Sequence, residues 1–260
     1  MRQRIRLLLP LIPILLAFGL NRAASAGEGD EPKRMVLVEL FTSQGCSSCP
    51  PADAYLGSLS ERPGVLALAF HVDYWNSPQW HDRFSLPAST ARQDRYVRNL
   101  GKSAEYTPQF IVDGRTELLG AHAELTEQAL AAPKPGVALS LTEVNAELRI
   151  EVGAAPGHSA ACEVILLSYL RHASSAVGGG ENGGRTLEDF NIVRSLRVLG
   201  SWRGDAGHFE VPLGSLPGDA TAVAVLLQVA GQGPILGAAS QPLERGAAQQ
   251  GGGAVPAHLR

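Results

Sequence analysis

Two cysteines three positions apart, in the run Cys46-Ser47-Ser48-Cys49, are the residues of this sequence best equipped for chemistry. A Cys-x-x-Cys pair at a strand-to-helix junction can place its first sulfur where unpaired amides and the helix dipole stabilise a thiolate. The second sulfur lies one turn on, within disulfide reach. Cys46 would attack a partner disulfide, and Cys49 would then resolve the mixed disulfide. Two blander uses compete: an inert structural bridge, or half of a metal site that needs two further ligands. The metal use is the weaker, because there is no second cysteine pair and the seven histidines are scattered.

Other residues carry chemistry less specifically. His71 and Asp73 end an apolar run with Tyr74-Trp75 beyond them, at the sheet end where open α/β folds bind ligands. They could tune the dithiol or, with His81 and Asp82, hold a metal; the bland alternative is that they satisfy loop backbone while Trp75 packs. Cys162 lies in an apolar run and reads as a buried, inert thiol. The glycine-rich stretch 178–184 looks mobile and is no phosphate cradle, since no strand leads into it and no Lys-Ser/Thr helix follows. Arg171, Arg185, Arg194 and Arg197 read as scattered surface charge.

The elements that must hold the cysteines read as β-α-β. Met35 to Phe41 is a buried strand running into the turn Thr42-Ser43-Gln44-Gly45. Ala52, Tyr55, Leu56 and Leu59 trace one helical face, closed by Pro63-Gly64. Val65 to Val72 is nearly all apolar, as in a parallel sheet covered on both faces. An aromatic-rich loop from Asp73 to Pro87 leads to a helix from Ser89 to Leu100. The strand Phe110 to Val112 then turns at Asp113-Gly114 into Leu118-Leu119, and a helix spans Ala123 to Ala132. Pro133-Lys134-Pro135-Gly136 breaks the pattern. Beyond it Val137 to Leu141, Glu147 to Val152, Cys162 to Tyr169, Phe209 to Pro212 and Thr221 to Val229 read as strands, with no long helix among them.

The chain start carries Arg2, Arg4 and Arg6, an apolar run from Leu7 to Leu20 and the small residues Ala24-Ser25-Ala26. That is the order of a secretory signal peptide over residues 1–26, and the run, with Pro10 and Pro13, falls short of the ~20 residues that span a bilayer. An exported destination permits oxidised cysteines. Formal net charge is −3, so nothing points to nucleic acid. Residues 246–260 are a Gly/Ala/Gln tail with the composition of disorder.

The stretches ELFTSQGCSSCPPAD, FHVDYW, ARQ, YTPQ, DGR and GENGGRTL, with a later Asn191 and Arg194, make the chain resemble a secreted bacterial thioredoxin-like family, domain of unknown function 1223. The resemblance covers roughly Met35 to Leu243. It implies a thioredoxin-like domain over 35–133 joined to a β-rich domain over 136–245. In thioredoxin-like proteins a cis-proline faces the disulfide and the residue before it pairs with substrate backbone. Thr107-Pro108 matches that position, with trans geometry at a strand start as the alternative. Glu39 stands where thioredoxin has its buried acid, a proton relay between the cysteines; its alternative is a carboxylate facing solvent or paired with arginine. Two departures stand out: Gly45 replaces the aromatic before the first cysteine, and Pro50-Pro51 follows the pair, so that ordered helix would begin only near Pro51.

The sequence therefore implies an α/β thioredoxin-like domain followed by a β-sandwich-like domain, in a periplasmic or secreted thiol–disulfide oxidoreductase or redox sensor. Its substrates would be protein or small-molecule thiols and disulfides, with no cofactor, no nucleic acid and no membrane contact after signal cleavage. Cys46, Cys49 and Glu39 are the expected catalytic residues, and Thr107, Pro108, His71 and Trp75 the expected substrate-side residues. An exported binding protein with a structural disulfide, or a copper or zinc handler using the thiols and His71, are the alternatives.

Overall fold

In a computed structural model that describes residues 34–119, 123–131 and 136–244, one large mixed β-sheet organises the chain. The signal-peptide reading of residues 1–26 and the tail reading of 246–260 lie outside the described residues. The opening is β1 (Val36–Thr42), α1 (Pro50–Ser60) and β2 (Val65–His71), followed by α2 (Pro87–Asn99), β3 (Gln109–Val112), β4 (Thr116–Leu119) and α3 (Ala123–Ala131). After these come β5 (Leu139–Val144), β6 (Glu147–Val152), β7 (Cys162–Ala176), β8 (Thr186–Trp202), β9 (Gly207–Pro212), β10 (Ala222–Val229) and β11 (Ile235–Pro242).

Strands from both parts of the chain share an eight-stranded sheet in the order β11-β10-β7-β8-β2-β1-β3-β4, and β5-β6-β9 form a second, smaller sheet. This overturns the expected α/β thioredoxin-like domain followed by a β-sandwich-like domain: the protein is mostly strand, with three α-helices among the described residues. The physical reason lies at β2. Its outer edge would expose unpaired backbone groups, and β8 fills that edge in parallel, with Ala69 opposite Ile192. β8 in turn pairs with β7 along a hairpin of 15- and 17-residue strands that carries the sheet on to β10 and β11.

Residue alternation along β1 decides what each face meets. Val36, Val38 and Leu40 pack under α1 with Ala52, Leu56 and Leu59. Leu37 and Phe41 point the other way, into a core with Tyr96 of α2 and residues of β7, β8 and β10. A third cluster joins β7 and β10 to the small sheet through Leu148, Ile150, Val164, Leu166, Val223 and Val225. Asp113 and Gly114 both have positive φ, 51° and 64°, the conformation a tight hairpin between β3 and β4 requires. Among the described residues no helix is long and apolar enough to cross a membrane.

Candidate functional site at the Cys46–Cys49 disulfide

The sulfurs sit where β1 hands over to α1. Cys46 N–H bonds the Ser43 carbonyl at 3.1 Å and Cys49 N–H bonds the Cys46 carbonyl at 3.2 Å, so the intervening residues form a tight turn. Pro50 and Pro51 occupy the first positions of α1, where their missing N–H groups cost nothing. Ordered helix thus begins one residue earlier than expected and places Cys49, not Cys46, at the N-cap. Cys46 and Cys49 are joined as a disulfide with Cα atoms 5.5 Å apart.

Three loops close over the pair. From the first, the Trp75 indole N–H donates to Thr107 Oγ1 at 2.7 Å, and the Trp75 Cβ and carbonyl would lie 3.2 Å from a Cβ on Gly45. Glycine before Cys46 is therefore what lets the tryptophan loop approach. From the second, the Thr107 carbonyl oxygen lies 3.8 Å from Cys46 Sγ, and the Thr107–Pro108 bond is cis, as the family resemblance implies. From the third comes the glycine-rich stretch 178–184, which reads in the sequence as mobile but is pinned onto the cysteine turn. Asn182 donates from Nδ2 to the carbonyls of Gln44 and Cys46 at 3.0 and 2.8 Å, and Arg185 holds the other end of that amide at 2.6 Å. Ser47 donates its N–H and hydroxyl to Glu181 Oε2 at 3.0 and 2.6 Å, which keeps that carboxyl below the usual carboxylate range. The result is concealment: Cys46 is 1% exposed and Cys49 0%, while Ser47 and Ser48 face solvent.

Beneath the turn lies a buried ionisable cluster on the α1 side of the sheet. His71 stands opposite Thr42 in the β1–β2 register. Its Nδ1 is 2.8 Å from Asp82 Oδ2, an oxygen that also accepts the Gln44 N–H. Gln44 Nε2 donates to Asp189 Oδ2 of β8 at 2.8 Å, so the residue two before Cys46 is tied to both carboxylates. Asp53, one turn beyond Cys49 on α1, is buried beside them. Burial disfavours the imidazolium, but the carboxylates of Asp82, Asp189 and Asp53 outweigh it and push His71 up to about 9. Burial pushes Asp53 up to about 7, against the pull of His71 and the Thr42 hydroxyl. For Asp82, burial is outweighed by His71 and by the N–H groups of Gln44 and Phe84, and its pKa falls. Three buried atoms here lack a hydrogen-bond partner of good geometry: His71 Nε2, with Asp189 Oδ1 3.9 Å away, Gln44 Oε1 and Thr42 Oγ1.

Cys46, Cys49, Thr107, Pro108 and Trp75 thus meet at one place, and His71 is buried beneath the cysteine turn. Glu39 does not join them. As an odd-numbered residue of β1 it points to the α2 face, where its oxygens receive Arg92 Nε and the Tyr96 hydroxyl, each at 2.5 Å. The arginine-paired alternative is the one that forms. Cys162 is buried, as expected, with His158 Nε2 3.3 Å from its sulfur. The copper or zinc alternative finds no donor set, because no group of three or more His, Cys, Asp or Glu among the described residues could hold a metal ion. Sequence reasoning missed Asp53, Asp189, Glu181 and Asn182. Asp53 alone carried a local signal, the spacing Cys49 to Asp53 on one helical face.

A cleft of about 570 Å³ opens between α1 and β8, lined by Pro50, Asp53, Gly57, Glu61, Arg185 and Phe190 among others.

A crystal structure of protein AGR_C_4864 from Agrobacterium tumefaciens is similar, at 31% identity and TM-score 0.70 over 79% of this chain and 92% of that one. HBP35 of Porphyromonas gingivalis shares the fold at 16% identity and TM-score 0.57, over 87% of this chain and 82% of that one. No curated protein matches the sequence. Residues 37–228 match the family described as protein of unknown function (DUF1223), and the chain belongs to that family.

Proposed function

We propose that this is an exported thiol–disulfide exchange protein, periplasmic or secreted, whose Cys46–Cys49 bond reacts with thiols when the loop carrying Glu181 and Asn182 moves aside. One observation carries the reading: the disulfide closes a four-residue ring yet sits among the Thr107 carbonyl, a latched loop and a carboxyl that burial pushes up to about 7. As a staple such a bond is weak. A loop this short removes only about 2 kcal/mol of unfolded-state entropy, against about 4.7 for a 100-residue loop. As a reactive pair it is well placed, because Cys46 lies against the Thr107 carbonyl, and a partner's chain displacing the loop would meet both. Export rests on the basic, apolar and small-residue order of the first 26 positions.

The near-complete burial of both cysteines, 1% and 0% exposed, favours a second reading, a permanent bridge in an exported binding protein. Alkylation of the reduced protein under native, mildly acidic conditions separates the two. Exchange predicts that Cys46 is modified well before Cys49; a bridge predicts that neither reacts until the chain unfolds.

A further inference from the structure

We infer that Asp53 delivers the proton to the Cys49 sulfur when the disulfide opens, and that the cleft between α1 and β8 is the route by which Asp53 is recharged from solvent. The inference rests on the exchange reading above and deepens it.

The chemistry sets the need. A partner thiolate attacks Cys46 Sγ; a sulfur–sulfur bond forms to the partner, the Cys46–Cys49 bond breaks, and its electron pair leaves on Cys49 Sγ as a thiolate. That negative charge appears at a sulfur with 0% exposure, where an unpaired charge is expensive. A proton must therefore come from the protein side. The carboxyl gives up its proton to Cys49, leaving a Cys49 thiol, a carboxylate and a mixed disulfide at Cys46, so atoms and charge balance.

Five buried groups compete for the role, and geometry removes four. Asp189 stands on β8 with Oδ2 taken by Gln44 Nε2 and Oδ1 turned to His71, and it is absent from the cleft lining. Glu39 lies across the sheet with both oxygens taken by Arg92 and Tyr96. Asp82 has its oxygens engaged by His71, Gln44 and Phe84, which keep it ionised. His71 is 1% exposed and lines no described cavity, so a proton lost from it has no described way back. Asp53 is on the same helix as Cys49 and one turn on, with its N–H bonded to the Cys49 carbonyl at 3.0 Å. Residues so spaced are surface neighbours on a helix. Asp53 also lines the 570 Å³ cleft, so the residue whose carboxyl faces His71 and Asp189 inside borders a path to water. The groups facing it are Thr42 from β1, His71 from β2, Asp82 from the loop and Asp189 from β8, with Glu61, Arg185 and Glu188 along the cleft. Their balance leaves the carboxyl able to give and regain a proton near neutrality, at about 7.

The test is the rate at which dithiothreitol reduces the oxidised full-length protein as a function of pH, divided by the reductant's thiolate fraction. The expected wild-type rate falls about tenfold as pH rises through about 7, below the roughly 10²–10⁴-fold of general-acid effects because a thiolate is already a fair leaving group. Asp53→Asn should be flat and about tenfold slower at low pH, and Asp53→Glu should restore the fall. Asp189→Asn, which removes a carboxylate that raises Asp53, should shift the fall to lower pH and serves if Asp53→Asn does not fold. An unchanged profile in Asp53→Asn, an unshifted one in Asp189→Asn, or a wild-type fall near 9 that points to His71, overturns the assignment to Asp53 alone. A disulfide that dithiothreitol leaves intact in the native wild-type protein overturns the exchange reading and this inference with it.

Discussion

Two buried charge clusters lie back to back across β1 and β2, and they are built differently. On the α2 face, Glu39 takes Arg92 Nε and the Tyr96 hydroxyl, while Arg92 also donates to Tyr96 and to Gln228 Oε1, and Gln228 donates to Tyr96 and the Gly233 carbonyl. None of the polar side-chain atoms of these four residues is among the buried atoms left without a partner. On the α1 face His71 Nε2 and Gln44 Oε1 are unpartnered, three aspartates crowd one histidine, and a disulfide sits above. A buried network with every donor and acceptor matched rigidifies a fold. One left short, with its charges in competition, is where protons can be taken up and released. Glu39 of the first strand lies inside the matched network, while the aspartate of α1 lies in the unmatched one, one helical turn from Cys49.

The largest expected effect breaks the closed cluster. Arg92→Met leaves the Glu39 carboxylate buried and unpaired and should cost about 3–5 kcal/mol in urea unfolding, while Arg92→Met with Glu39→Gln recovers much of that. A loss of disulfide reactivity with stability intact would reverse the roles assigned to the two faces. Next comes pH. His71 titrates at about 9 in the folded protein against 6.5 unfolded, so the folded state holds the extra proton between those values. Its stabilisation is full below about 6.5 and is lost as pH rises through about 9, on the order of 3 kcal/mol. His71→Asn should flatten that slope in thermal unfolding scans, whereas Glu39→Gln with Arg92→Met should keep it. Asn182→Ala leaves the buried Gln44 carbonyl unpaired and takes one of two hydrogen bonds from that of Cys46, and should cost about 2 kcal/mol while speeding thiol attack on Cys46 several-fold. An unchanged rate would remove the latch from the account. Smallest is the bridge itself: full reduction should lower stability by just under about 2 kcal/mol.

Much of the site's first ring was legible in the sequence because it is local. The β-α-β opening, Cys46 and Cys49 and the hairpin at Asp113-Gly114 follow from alternation, helical spacing and turn chemistry, and the Thr107-Pro108 pair from the family resemblance. The fold class was not. β8 contains Glu188, Asp189, Arg194 and Arg197 and lacks an apolar run, so it offers no strand signal, yet it joins β2 from more than a hundred residues away. The face of β1 that Glu39 occupies follows from strict alternation, but what lies beyond that face depends on Gln228 and β10. Asn182 and Glu181 stood in a quoted stretch of the family resemblance, and glycines around them gave a loop the look of slack. Only the fold shows that Gly179 lies against the Gln79 carbonyl, where a Cβ would come within 2.2 Å, and that the loop is fitted to the cysteine turn.

The account stands or falls on whether the Cys46–Cys49 bond exchanges electrons at accessible potentials. Mass spectrometry of the native protein equilibrated in graded thiol–disulfide buffers should find it half reduced between about −270 and −120 mV, the range of catalytic pairs. A bond still oxidised below about −300 mV, where structural bridges lie, would contradict it.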